Sequence, residues 1–181
     1  AVNIQSNAGT TNELDLFTVS SAAQVDLANV RANNIAVTGT NIDLNSTFYT
    51  ALTDDVTFTG AVDLTLGAGT TTVTSGGAAG DDITVTGLIE DDVAGQTSLT
   101  LVAGLGAVNL QSNAGVTNEL DLFTVSSAAQ VALANVRANN IAVTGTNIDL
   151  NGTSYTALTD AVRTEERRVG KGWRSRGSPY S

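Results

Sequence analysis

Residues 35–45 read Ile35-Ala-Val-Thr-Gly-Thr-Asn-Ile-Asp-Leu-Asn45. Two triplets, Ile35-Ala-Val37 and Ile42-Asp-Leu44, each place a small or polar residue between two apolar ones. A period of two turns Ile35 and Val37 to one side of an extended chain and Ala36 to the other. Each triplet therefore reads as a short strand with one buried face, and the Thr-Gly-Thr-Asn connection between them reads as a turn. No segment of the chain sustains a period of 3.6 residues. Ala22 to Val30 comes closest, but its Val25-Asp-Leu27 core matches the strand triplets.

The pattern recurs along the chain. Phe17-Thr-Val, Ile35-Ala-Val, Val56-Thr-Phe, Ile83-Thr-Val, Leu99-Thr-Leu, Phe123-Thr-Val and Ile141-Ala-Val follow one another at spacings of 18, 21, 27, 16, 24 and 18. Most are followed by a second triplet: Val25-Asp-Leu27, Ile42-Asp-Leu44, Val62-Asp-Leu64, Val108-Asn-Leu110 and Ile148-Asp-Leu150. On a larger scale, residues 1–56 recur at 107–162 with an offset of 106. Six positions differ: Ile4/Leu110, Thr10/Val116, Asp26/Ala132, Ser46/Gly152, Phe48/Ser154 and Asp55/Ala161.

A mean step of about 21 residues lies in the range of short-repeat architectures, in which one unit cannot bury its own apolar face and must stack on the next. Residues 1–162 are therefore expected to form an all-β, right-handed parallel β-solenoid. The reading gives two strands per coil, about seven coils, about five coils per 106-residue super-repeat and a rod about 35 Å long. A β-sandwich array with two halves per super-repeat is the structural alternative, disfavoured because the triplets recur at much less than half a super-repeat. Paired polar residues, Asn33-Asn34, Asp54-Asp55, Asp81-Asp82 and Asn139-Asn140, are expected at the coil corners. The asparagine pairs suit stacked amide ladders and left-handed turns.

Composition narrows the chemistry. The 181 residues include no Cys, no His and no Met, and the only Pro, Trp and Lys fall in the last nineteen positions. That excludes a disulfide scaffold, a thiolate zinc site and a Ser-His-Asp relay. No apolar run approaches the ~18 residues of a membrane span, so membrane insertion is not expected. Residues 1–162 set two arginines, Arg31 and Arg137, against sixteen carboxylates, a net charge of −14. Such a body repels phosphate backbones, and nucleic acid is not an expected partner.

Residues 163–181 break the pattern. The segment Arg163-Thr-Glu-Glu-Arg-Arg-Val-Gly-Lys-Gly-Trp-Arg-Ser-Arg-Gly-Ser-Pro-Tyr-Ser181 has a net charge of +4 and interrupts the repeat in mid-strand. It resembles translated sequencing-adapter sequence and is expected to be a non-native or disordered basic tail. At the other end, the second copy follows the lead-in Ser98-Leu-Thr-Leu-Val-Ala-Gly-Leu-Gly106, which Ala1 lacks. The chain is accordingly expected to be a fragment that starts inside a coil, with strand edges prone to stack end to end.

Ser20-Ser-Ala-Ala-Gln-Val-Asp-Leu-Ala-Asn29, Ile35 to Asn45, Val56-Thr-Phe-Thr-Gly-Ala-Val-Asp-Leu64 and Leu99-Thr-Leu-Val-Ala-Gly carry a family likeness. They resemble the β-strand repeats of giant bacterial surface adhesins of the filamentous-haemagglutinin-like and autotransporter-like kind, over nearly all of residues 1–162. The resemblance rests on repeat style and includes no catalytic motif. It implies a secreted, extracellular or cell-surface stalk, whose immediate partners are neighbouring coils of the same long chain. Host or surface glycans and proteins would be met through other modules.

Candidate sites are few. Gly76-Gly-Ala-Ala-Gly-Asp-Asp82 resembles the calcium-binding nonapeptide Gly-Gly-x-Gly-x-Asp, with one residue too many and no tandem partner. If an ion binds, Asp54, Asp55, Asp81 and Asp82 on adjacent coils are its place, with Asp91-Asp92 a weaker version of the same signal. No other cofactor is expected. Gly80-Asp81-Asp82 also resembles a fragment of β-helical pectinases, whose carboxylates divide acid and base roles. Those enzymes add His, absent here, and basic residues, of which this body has only Arg31 and Arg137, copies of one position, so the chain is read as a non-enzyme. A calcium-stabilised repeat module and, behind it, a carbohydrate-active β-helix are the alternatives. Thr57/Thr59 and Thr84/Thr86 suggest an ice-binding array, broken by Ala36, Val102 and other non-threonine positions.

Overall fold

A computed structural model describes residues 1–166, which contain seventeen strands and no helix. All the strands belong to one parallel sheet wound into a solenoid of about eight turns. Each turn has three sides, one more than the triplet pattern suggests; some strands run over more than one side, and at Ala8 and Ala114 a side is a single bridge. Along the chain the sides form three faces, here called A, B and C in order of appearance. Face A stacks Val2, Val25, Ile42, Val62, Ile89, Ala114, Val136 and Tyr155 in register. Face C stacks Phe17, Ile35, Val56, Ile83, Val108, Val131 and Ile148. Between them, face B runs through 30–32, 49–51, 72–74, Thr97–Val102, 123–125, 141–143 and Val162–Glu166.

The physical basis is the same on every face. Alternate residues point inward, and the inward set is apolar: Val25, Leu27, Val30, Ala32, Ile35, Ile42, Tyr49, Val56, Leu64 and Val131 are fully buried. Face B was hidden because its early rungs are Val30-Arg-Ala32 and Tyr49-Thr-Ala51, which lack the Val-x-Leu signature. Tyr49 is fully buried, meets Phe58 edge to face at 6.2 Å, and donates its hydroxyl to the Leu27 carbonyl at 2.7 Å. That bond lets a phenol sit in a dry core, whose burial holds its pKa well above the ordinary value.

The three-face winding changes the meaning of the 106-residue repeat. Registers within the two copies are identical: Val25 pairs with Ile42 as Val131 pairs with Ile148, and Phe17 with Ile35 as Phe123 with Ile141. Yet Val25 lies on face A and Val131 on face C, while Ile35 lies on face C and Ile141 on face B. The offset therefore spans four and two-thirds turns, and the second copy is the first rotated by one face. The slip arises in the intervening segment, where Val62 pairs with Ile89 and Ile89 with Ala114, both longer steps than any inside either copy. Ile83 and Leu99, adjacent triplets in the sequence, are consequently on faces C and B and are not stacked.

Corners also depart from expectation. No non-glycine residue has a positive φ among the described residues, so the Asn33-Asn34 and Asn139-Asn140 corners are not left-handed turns. Their amides reach carboxylates of the previous turn: Asn33 donates to Asp15 at 3.2 Å and Asn139 to Asp121 at 3.3 Å. A charged acceptor makes the stronger bond, which explains why these corners use amide–acid rungs. An amide–amide rung does occur where Asn29 donates to Asn7 at 3.1 Å. The last strand, Val162–Glu166, takes in four residues of the basic segment. Residues 167–181, the remainder of that segment, lie outside the described residues.

Candidate functional site

The four aspartates singled out by sequence lie at the corner leading into face C, in the third and fourth turns. Asp55 Oδ1 accepts the Asp82 backbone N–H at 2.7 Å, and Asp82 Oδ1 accepts the Ala107 N–H, also at 2.7 Å. The two carboxylates thus form a staircase, each capping a backbone donor in the turn above. Asp81 Oδ2 instead closes its own loop by accepting the Ala78 N–H at 2.9 Å, while Ser75 Oγ donates to the Asp81 carbonyl at 2.6 Å. Asp54 contributes its backbone carbonyl, which accepts from Gly76 N–H. Backbone N–H groups at a corner have lost their ladder partners and need acceptors. These acids supply them, and among the described residues no three His, Cys, Asp or Glu side chains are grouped to hold a metal ion.

Asp91-Asp92 splits in two: Asp92 is exposed and offers its backbone carbonyl to Asn118 Nδ2 at 3.4 Å. Asp91 is buried, and its Oδ2 accepts the N–H groups of Gln96 at 2.8 Å and Thr97 at 2.7 Å. It is the pin that holds the loop between Asp91 and Thr97 against the rod, and its Oδ1 is buried without a hydrogen-bond partner. Next to it, Glu90 points outward and gathers the Thr117 and Asn118 N–H groups, organising the corresponding loop one turn on. Sequence spacing offered no sign of either role, since both depend on which loop lies above.

A second set of acids escaped the sequence reading altogether. On face A the outward positions Asp26, Asp43, Asp63 and Glu90 stand in register on four successive turns. The signal was present in the middle residues of Val25-Asp-Leu27, Ile42-Asp-Leu44 and Val62-Asp-Leu64. Gln24 Nε2 donates to Asp26 Oδ1 at 3.1 Å and to Asp43 Oδ2 at 2.6 Å, and Asn41 Nδ2 donates to Asp43 Oδ1 at 2.8 Å. Burial, then the Asp26 carboxyl beside it, pushes the Asp43 carboxyl up to about 6.

The threonine array is short. One outward column of face C runs Thr18, Ala36, Thr57, Thr84, Asn109, Ala132 and Asp149, so only Thr57 and Thr84 are neighbours in it, and in the column beside it Thr38 pairs with Thr59. Face B holds a run of three, Thr72, Thr100 and Thr124, ended by Ala142. A groove of about 340 Å³ by Asn3, Ile4, Gln5, Asp26 and Asn45, and one of about 240 Å³ by Asp82, Thr84, Val108, Asn109 and Gln130, are lined by amides, acids and small or aliphatic side chains with no aromatic ring. No family model, curated protein or solved structure matches this chain.

The corner geometry makes a prediction about calcium. Because Asp55, Asp81 and Asp82 already serve backbone donors, adding millimolar calcium or a chelator should leave the thermal midpoint unchanged within about a degree. Differential scanning calorimetry checks this, and a rise of several degrees with saturable calcium would put an ion at the corner.

Proposed function

We propose that this chain is a non-catalytic stalk segment of a secreted, adhesin-like bacterial surface protein, whose work is to supply length and stiffness. The observation that supports it is the uninterrupted stacking of about eight turns on three faces around a single buried column. Three ladders of parallel hydrogen bonds, set around one dry core, resist bending in every direction. A flat sheet would yield about its thin axis. Each turn is only marginally stable alone, so the structure gains from being long. The excess of carboxylates keeps neighbouring rods apart and soluble. The repeat style of the triplets, shared with β-strand-repeat adhesins, supplies the cell-surface part of the reading.

The test has two arms. Tandem copies of the 106-residue unit, imaged by electron microscopy, should be straight rods lengthening by about 22 Å per added copy. Antibody raised against the segment should label intact cells of the source organism. Flexible beads in the first experiment would overturn the mechanical role, and label confined to permeabilised cells would overturn the surface location.

A further inference from the structure

The face A ladder has chemistry that a plain stalk does not need. Asp26 and Asp43 face each other one rung apart, about 4.8 Å along the rod. Gln24 Nε2 reaches both carboxyls, Asp26 Oδ1 at 3.1 Å and Asp43 Oδ2 at 2.6 Å, so the two stand side by side on one donor, and a direct bond between them requires one to carry a proton. From the turn above, Asp63 adds a further negative charge, and beyond it stands Glu90. The side chains that answer this charge are neutral amides, Gln24 and Asn41. Among the described residues the ion pairs are Arg137 with Glu119, beside the Glu90 end of the ladder and four turns above Asp43, and Arg163 with Asp160, farther still, so neither reaches the Asp26–Asp43 pair.

We propose that the Asp26–Asp43 pair is a proton-held clasp that ties neighbouring turns of face A more firmly as the surroundings acidify. Two ionised carboxylates at this distance repel across the rung, whereas one shared proton converts the contact into a short acid–carboxylate bond. The direction follows from linkage. With its folded-state value raised from 3.8 to about 6, Asp43 holds its proton more tightly folded than unfolded. The stabilisation is fully present below the ordinary carboxyl range and is lost as pH rises through about 6.

The chain contains its own control. In the second copy Ala132 replaces Asp26, so the counterpart of Asp43, Asp149, has no carboxyl partner. Its amide contacts are longer too, 3.5 Å from Gln130 and 3.3 Å from Asn147. One of the six differences between the copies, Asp26/Ala132, removes the clasp while the pairing register is kept, so its presence does not follow from the fold alone.

Urea unfolding of the whole chain between pH 7.5 and 4.5, with carboxyl carbon NMR, tests the proposal. In the wild type one aspartate should titrate near 6, and the urea midpoint should rise as pH falls through that value. Asp43→Asn should remove that titration, raise the midpoint at pH 7.5 and flatten its rise. Asp26→Ala, which copies the second repeat, should lower the Asp43 value, leaving only the part of the rise that burial and Asp63 supply. Asp149→Asn should leave the pH profile as in the wild type. If no aspartate titrates above 5, or if Asp43→Asn keeps the wild-type pH slope, the clasp does not exist.

Discussion

Gly60→Ala will cost this protein at least about 3 kcal/mol, well above the cost of Gly67→Ala, although both glycines have positive φ. Gly60 has φ of 131° at the corner between faces C and A, in the middle of a stack formed by Gly39, Gly60 and Gly87 in three successive turns. A Cβ on Gly60 would overlap the Gly39 carbonyl, and one on Gly87 would overlap the Gly60 carbonyl. Both obstacles are backbone, which cannot rotate away as a side chain can. The turns must separate, and Gly60 N–H loses its bond to Thr86 Oγ1 at 3.2 Å. At Gly67, φ is 76° and nothing lies within 4 Å of the added carbon, so only the left-handed backbone penalty of about 1–2 kcal/mol applies. Urea midpoints of the two variants measure the difference. Equal shifts would mean that the glycines do not set how closely the turns approach.

The inward residues were legible in the sequence, and the winding was not. Val25, Leu27, Ile42, Leu44, Val62 and Leu64 announce themselves by alternation, and each is buried as the alternation requires. Alternation, however, is local. It says which side of a strand is wet but gives no count of the strands that close a turn. Val30 to Leu44 runs without a break over faces B, C and A as one fifteen-residue strand, with Asn33-Asn34 and Gly39 bending it at the corners. Nothing in its composition separates three short rungs from two. The phase of the repeat was hidden for a related reason: all three faces demand the same inward-apolar pattern, so one and the same stretch fits any of them.

Among the candidate residues, type was more legible than role. Asp54-Asp55 and Asp81-Asp82 were correctly read as corner residues, but the carboxylates of Asp55 and Asp82 cap backbone donors in the turn above, which no one-dimensional spacing reveals. The Asp26–Asp43 pair required the register itself. Those two residues become neighbours only once the length of that particular turn is known. Turn length is far from constant: the turn from Val25 to Ile42 is much shorter than the one from Val62 to Ile89.

Turn length can be tested directly by crosslinking. Thr84→Cys combined with Asn109→Cys should close a disulfide almost quantitatively on mild oxidation, whereas Thr84→Cys with Thr100→Cys should give almost none. Thr84 and Asn109 are in-register outward neighbours on face C, with Cα atoms about 4.8 Å apart, inside the range a disulfide spans. Thr100 lies on face B, stacked between Thr72 and Thr124. Stacking the triplets by sequence order would instead set Thr100 directly over Thr84. Thr100→Cys with Thr124→Cys should crosslink, which shows that position 100 is reactive. The chain has no cysteine of its own, so non-reducing electrophoresis and peptide mapping read each pair without background. A disulfide between positions 84 and 100 in folded protein, with none between 84 and 109, would remove the third face and with it the rotation between copies. The expected pattern fixes how such a rod presents itself. Consecutive copies of one sequence turn the same strip of side chains toward different sides, so repeating the unit adds length without extending one flat surface.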